Sequence, residues 1–211
     1  MIINKDLKKY IEEHIFPEYN KNDSGHDVNR VKHVIERSLR FAEQFEDINY
    51  DMVYTIAAYH DIGHHIDAKH HEIVSGDMLL ADENLKEFFS KDEIKIMAEA
   101  VYDHRASSSK EPRSIYGKIV ASADRVTRVE DALTMTYAYR VTNSPNSTLE
   151  EMIEDSRQHL IDKFGKDGYS NEKMYVEDLE FKKFIKDISE LANNKEEFRR
   201  KYIEVNKIKE D

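Results

Sequence analysis

Apolar residues recur along this chain at three- and four-residue spacing, and no window sustains the two-residue alternation of a half-buried strand. The pattern predicts an almost wholly helical protein. Leu7, Ile11 and Ile15 mark a first helix stopped near Pro17, and residues 20–25 read as a loop. A long second helix over about residues 27–45 turns Val31, Val34, Ile35, Ser38, Leu39 and Ala42 inward. Asp51 is the expected N-cap of a third helix that carries Val53, Ile56, Ala57 and His60 and stops at Gly63. Further helices are expected over about 71–80, 90–104 and 114–139, and Ser90 with Glu93 has the spacing of a capping box. The polar stretch RASSSKEPR, from Arg105, and residues 143–147 read as loops, and residues 148–211 as three helices with a break near 165–168.

Composition narrows the class. With 211 residues, the expectation is a single all-α domain with a helical extension over 148–211. In that extension Tyr175, Leu179, Phe181, Ile185, Ile188 and Leu191 make a wall that completes the core or forms a homodimer surface. Six glycines and three prolines are too few turn-formers for a many-stranded sandwich or barrel. The net charge of -11 would repel a nucleic-acid backbone, so no polymeric nucleic-acid partner is expected. The absence of cysteine removes disulfide scaffolds, thiolate zinc sites and cysteine nucleophiles together. With no 18-residue apolar run and no signal-peptide core in MIINKDLKKYIEEH, the expectation is a cytoplasmic protein without a membrane partner.

Ten histidines change the picture, because eight fall between His26 and His104. In AAYHDIGHH, His60 shares the stripe of Val53, Ile56 and Ala57, which aims an imidazole into the core beside Asp61. Burying the two together is costly unless they pair or bind a cation. His104 ends the stripe of Ile94, Met97, Ala98 and Val101, Asp124 sits one turn beyond Val120 in an apolar run, and His71 opens another amphipathic segment. Imidazoles and carboxylates carried by several helices into one interior suit zinc, iron, manganese or a similar divalent ion. Without thiolates, such a site reads as catalytic rather than structural.

The His60-Asp61 pair with the distant Asp124 resembles the H…HD…D pattern of the HD-domain superfamily of metal-dependent phosphohydrolases. HHEIVSG, AVYDHRAS and IYGKIVASADR are similar to the extra-histidine segments of its two-metal members. The resemblance covers about residues 20–130 and implies a metal-site core there, a helical bundle in which His60, Asp61 and Asp124 hold a first ion, while His71 and His104 hold a second that Asp61 bridges, with His70 an alternative to His71. One or two divalent ions are implied: iron, manganese, nickel, cobalt or zinc, magnesium included. At one position this chain departs from the pattern, for the residue four before Val34 is Arg30 rather than histidine. His26 lies one turn earlier and His33 about one turn later, and His33 is assigned as the ligand.

The function so implied is hydrolysis of a small phosphate ester or nucleotide by a metal-activated water. Asp61 and His64 are the candidate catalytic groups, with Asp67 a further acid or base. Arg30, Arg105 and Arg125 would bind the anionic phosphate, with Lys69 and Arg113 more distant. Tyr59, Tyr102 and Tyr116 could stack on a base or simply pack. Two other classes fit the same residues: an HD-type di-iron oxygenase, and a helical binding or regulatory module whose catalytic site has decayed.

Overall fold

The apolar stripes fold into ten α-helices, with no strand among the described residues; the computed structural model describes residues 2–22, 25–105, 108, 110–170 and 174–209. Two compact units emerge: Met1–Arg125 with Tyr175–Glu177, and Val126–Met174 with Asp178–Asp211. The sequence reading has one domain with an extension from 148, whereas the division falls at Arg125, earlier in the chain. No helix of the described residues is long and apolar enough to cross a membrane.

The first unit holds α1 (Lys5–Tyr10), α2 (Val28–Ala42), α3 (Tyr50–Tyr59), α4 (His71–Ala81), α5 (Lys91–Asp103) and α6 (Ile115–Ala123). Beyond α1 the chain stays helical past Pro17, through a π turn over Ile11–Ile15 and a 3-10 helix over Phe16–Lys21. Pro17 stands in the first turn of that 3-10 helix, where a missing N–H disrupts nothing, so it does not stop the chain as the sequence suggests. This winding places Leu7, Ile11, Ile15, Phe16 and Tyr19 in the core shared with Val31, Val34, Val53, Ile56, Met97, Val101 and Val120. Helix α3 is buried on every side from Met52 to its end, which is why its apolar residues show so little helical bias to one face.

Two further boundaries differ from the sequence expectation. Asn49, not Asp51, caps α3, because Asp51 Oδ1 is taken by the backbone N–H of Asn4 at 2.9 Å. Of the predicted loop after His104, Ala106, Ser107 and Ser109 lie outside the described residues. The expected helix over 114–139 is two helices, α6 and α7 (Val129–Asn143). The buried Arg37 donates from Nη1 to the carbonyls of Ala123 at 3.1 Å and Arg125 at 2.9 Å. A continuing helix would bond those carbonyls to N–H groups four residues on, so the side chain substitutes for the helix ladder and releases Asp124 from it.

The second unit comprises α7, α8 (Leu149–Phe164), α9 (Leu179–Asn193) and α10 (Lys195–Asn206). Its core is aromatic: Phe164 meets Phe184 edge-on at 4.9 Å between ring centroids, and Phe181, Phe198 and Tyr202 are buried with them. Thr148 and Glu151 form a reciprocal capping box that starts α8.

Candidate metal centre

His60 and Asp61 leave α3 at its last turn, and two polar side chains hold the backbone there. The buried Tyr19 hydroxyl donates to the Ala58 carbonyl at 2.8 Å and accepts from the Asp61 N–H at 3.3 Å. Asn22 Nδ2 donates to the Asp61 carbonyl at 3.0 Å. These bonds satisfy groups that a helix end leaves open and fix the direction of the Asp61 side chain. Gly63 then lets the chain pass against α4: a Cβ there would sit 2.6 Å from the Val74 side chain and 2.9 Å from the Ser75 backbone nitrogen. Its own N–H donates to Ser75 Oγ at 2.9 Å.

Three imidazoles converge on Asp61, each anchored the same way. Nδ1 of His60 lies 2.8 Å from the carbonyl of Ala57, Nδ1 of His104 lies 2.7 Å from that of Val101, and Nδ1 of His71 lies 3.0 Å from that of Ala68. A carbonyl only accepts, so each Nδ1 carries a proton, and Nε2 is the nitrogen each ring turns toward the carboxylates. Nε2 of His71 and of His104 lie 3.2 and 3.4 Å from Asp61 Oδ1, and Nε2 of His60 lies 3.2 Å from Asp61 Oδ2 and 3.6 Å from Asp124 Oδ1. Among the described residues, two donor groups result: Asp61, His71 and His104, and His60, Asp61 and Asp124.

The imidazole Nε2 atoms and the carboxylate oxygens face one another. His60 Nε2 and Asp61 Oδ1 are buried without a hydrogen-bond partner, although nitrogens and oxygens stand close by. Buried lone pairs directed at one point are costly unless a cation occupies it, and outer carbonyl bonds to Nδ1 are the usual support of metal-ligating imidazoles. The residues therefore fit a divalent ion.

The electrostatics agree. Burial alone would push the His60 imidazolium down, but Asp61 and Asp124 outweigh it and raise its pKa to about 10 when only protons compete for the place. Burial would likewise raise both carboxyl groups, yet the His60 and His104 rings hold Asp61, and chiefly Arg30 holds Asp124, below the usual carboxylate range. His71 is shifted down by burial and so is kept neutral, the form a metal needs.

The remaining sequence candidates fall into place around this centre. His33 is exposed on α2 and belongs to neither donor group, so the geometry does not support it as the missing ligand. Arg30, the departure from the family pattern, instead directs Nη2 to Asp124, 2.8 Å from Oδ1 and also bonded to the main-chain carbonyl. His26 stacks on His64 at 3.7 Å, and the His64 ring is 5.3 Å from that of His71. His70 is exposed and pairs through Nδ1 with Asp67 Oδ2 at 2.9 Å, so His71 and not His70 reaches Asp61. Arg105 bonds the Lys69 carbonyl and lies 3.3 Å from Glu72 Oε2, while Arg125 stands over the Tyr175 ring at 5.8 Å. Arg113 is held by Asp103 at 2.8 Å.

The three tyrosines near the centre are structural: Tyr59 donates to Asp82, Tyr102 to Asp77, and the Tyr116 hydroxyl accepts from the Asn49 N–H. Sequence reasoning missed Tyr19, Asn22 and Arg37, which act through contacts distant in sequence. Arg37 alone left a signal, as a charge on the apolar face of α2.

Comparison with known proteins bears on this arrangement. Residues 28–129, which carry both donor groups, match the family model of the HD domain. No match is found among curated proteins. The crystal structure of a predicted HD superfamily hydrolase from an uncultured Thermotogales bacterium aligns with 75% of this chain and 87% of its own, at 20% identity and a TM-score of 0.46. Over residues 28–129, this chain is therefore similar to the HD domain.

Proposed function

We propose that this chain is a metal-dependent phosphohydrolase acting on a small phosphate ester or nucleotide. The observation that carries the reading is the convergence of three carbonyl-anchored imidazoles on the buried Asp61, whose Oδ1 has no hydrogen-bond partner. The residues that would hold an ion are Asp61 with His71 and His104, and Asp61 with His60 and Asp124. A divalent ion bound there supplies Lewis acidity toward a phosphoryl oxygen and makes the attacking water acidic enough to ionise near neutral pH.

The side chains divide the remaining work. Asp61 orients the centre and takes up the positive charge that gathers on its imidazole neighbours. His64, partly exposed and within 5.3 Å of the His71 ring, is placed to give a proton to the leaving oxygen. Arg105 and Arg125 are half-buried near the ends of α5 and α6, and Arg30 lies on Asp124; these guanidinium groups balance charge on the equatorial oxygens of the transferred group. The strongly negative chain around them disfavours a polyanionic polymer and favours a small substrate.

Phosphate release from p-nitrophenyl phosphate and a panel of nucleotides tests the reading, using protein loaded in turn with manganese, iron, nickel, cobalt, zinc and magnesium. Metal-dependent release that disappears in Asp61→Ala, with helical circular dichroism intact, is the expected result. Release that is equal in that variant would refute it.

A further inference from the structure

The two donor groups share Asp61 through different oxygens: Oδ1 faces His71 and His104, and Oδ2 faces His60. Geometry alone therefore offers two places for a cation, bridged by one carboxylate. They are not equivalent, because a cation that belongs to the protein already stands at one of them. Arg30 Nη2 lies 2.8 Å from Asp124 Oδ1, the oxygen that is also 3.6 Å from His60 Nε2, and bonds the Asp124 carbonyl as well. Both side chains of that pair are three-quarters buried, 24% exposed each, so water screens the guanidinium little.

We infer that Arg30 replaces a metal ion: the centre holds a single divalent ion on Asp61, His71 and His104, and the guanidinium occupies the electrostatic place of a second. The inference rests on the metal-dependent reading above and specifies its stoichiometry.

Charge decides it. Arginine keeps its proton at any accessible pH, so its charge cannot be dismissed as an imidazolium can by losing a proton. Asp61, Asp124 and Arg30 together leave one negative charge. One divalent ion turns that into a single positive charge, whereas two would leave three in a buried pocket. Glu72 does not compensate, because Arg105 lies 3.3 Å from it. The second ion would have to displace the guanidinium from Asp124, or sit against it and suffer twice the repulsion of a unit charge. At Asp61 Oδ1, by contrast, the orphaned oxygen and the two Nδ1-anchored rings await an ion, and the guanidinium bonds to Asp124 on the other side of His60.

The test counts ions. Protein stripped with chelator, reloaded with Mn2+ and dialysed is measured by elemental analysis and electron paramagnetic resonance. The wild type should hold one manganese per chain with the signal of an isolated ion, and Asp124→Asn should keep it. His104→Ala should lose it. Arg30→His, which removes the fixed charge and adds a donor, should hold two ions with a spin-coupled signal.

Two ions in the wild type would overturn the inference and leave the metal-dependent reading standing, whereas none would overturn that reading itself. One ion that Asp124→Asn loses and His104→Ala keeps would place the metal on the other group and overturn the assignment. Arg30→His that retains native circular dichroism yet stays at one ion would overturn the role given to the guanidinium. If that variant does not fold, the Asp124→Asn and His104→Ala counts decide the placement.

Discussion

Asp61 Oδ1 stands 3.4 Å from His104 Nε2, while His104 Nδ1 is held 2.7 Å from the Val101 carbonyl. A contact of this kind stabilises the fold only when a cation completes it. Metal binding should therefore raise thermal stability: at a hundredfold excess over Kd the linkage is about 2.7 kcal/mol. That corresponds to roughly 2–4 °C in Tm per kcal/mol for a chain of this size. Asp61→Asn, nearly isosteric, should lose the whole metal-dependent increment. Differential scanning fluorimetry with and without Mn2+ checks it, and an equal increment in the variant would show that the ion binds elsewhere.

The position of His71 depends on how closely the chain after Asp61 passes α4. Gly63 makes that approach possible, and an added methyl group would meet Val74 Cβ at 2.8 Å and the Ser75 backbone nitrogen at 2.9 Å. Neither is the end of a flexible side chain, so backbone must shift. Gly63→Ala should cost about 1–3 kcal/mol in urea denaturation, the range for overpacking a tight site. It should also weaken Mn2+ binding by moving His71 away from Asp61. Unchanged metal affinity would show that α4 can adjust without carrying His71 with it.

How far these features could be read from the sequence follows from how local their causes are. The Ser90–Glu93 capping box was legible because both partners lie within one turn, and the structure forms it reciprocally. His60, Asp61, His104 and Asp124 stood out as polar groups on apolar stripes, and the helix ends bring them together. What the pattern could not carry was competition between distant groups. Asp51 is a sound N-cap by type, but Asn4 claims its carboxylate and Asn49 takes the cap. The helix over 114–139 is continuous by periodicity, and Arg37 and Arg30, from α2, take the carbonyls where it breaks. His33 lies near Arg30 in sequence, yet its side chain is exposed, while Arg30 itself reaches Asp124.

A second carboxylate, Asp82, makes the fold sensitive to alkali. Tyr10 and Tyr59 both donate to its Oδ2. Burial, then the Asp82 hydrogen bond and charge, raise Tyr10 to about 12 and Tyr59 further, and burial raises Tyr54 to about 12. The native state keeps these protons where the unfolded chain, with tyrosines near 10, gives them up. The unfolded state then binds fewer protons, so stability is fully present below pH 10 and falls as pH rises through about 12. Urea midpoints at pH 9 and pH 11 should differ accordingly. Tyr59→Phe should cost about 1.5–3 kcal/mol at pH 9, the value of a hydrogen bond to a charged group, and flatten the alkaline decline. A midpoint that does not move between the two pH values would contradict the assignment.

Arg37 offers a way to separate fold stability from metal binding. It is 2% exposed, stacks at 5.3 Å on Phe41, and holds the carbonyls of Ala123 and Arg125. Arg37→Met preserves much of its apolar length but strands the buried Ala123 carbonyl and the part-buried Arg125 carbonyl, a buried group costing about 1–3 kcal/mol when left unsatisfied. A loss of about 2–5 kcal/mol in urea denaturation is expected on that basis. The turn at Asp124 would loosen with it, because those two bonds replace the helix ladder there. Asp61, His71 and His104 come from the end of α3, the start of α4 and the end of α5, none of which Arg37 bonds in this way. A single ion on those three residues should therefore bind with little change, whereas an ion that depends on Asp124 should bind much more weakly. Measuring urea stability and Mn2+ affinity on the same variant distinguishes the two: a large loss of affinity would place Asp124 among the ligands, and retained affinity with reduced stability would leave its carboxylate to Arg30.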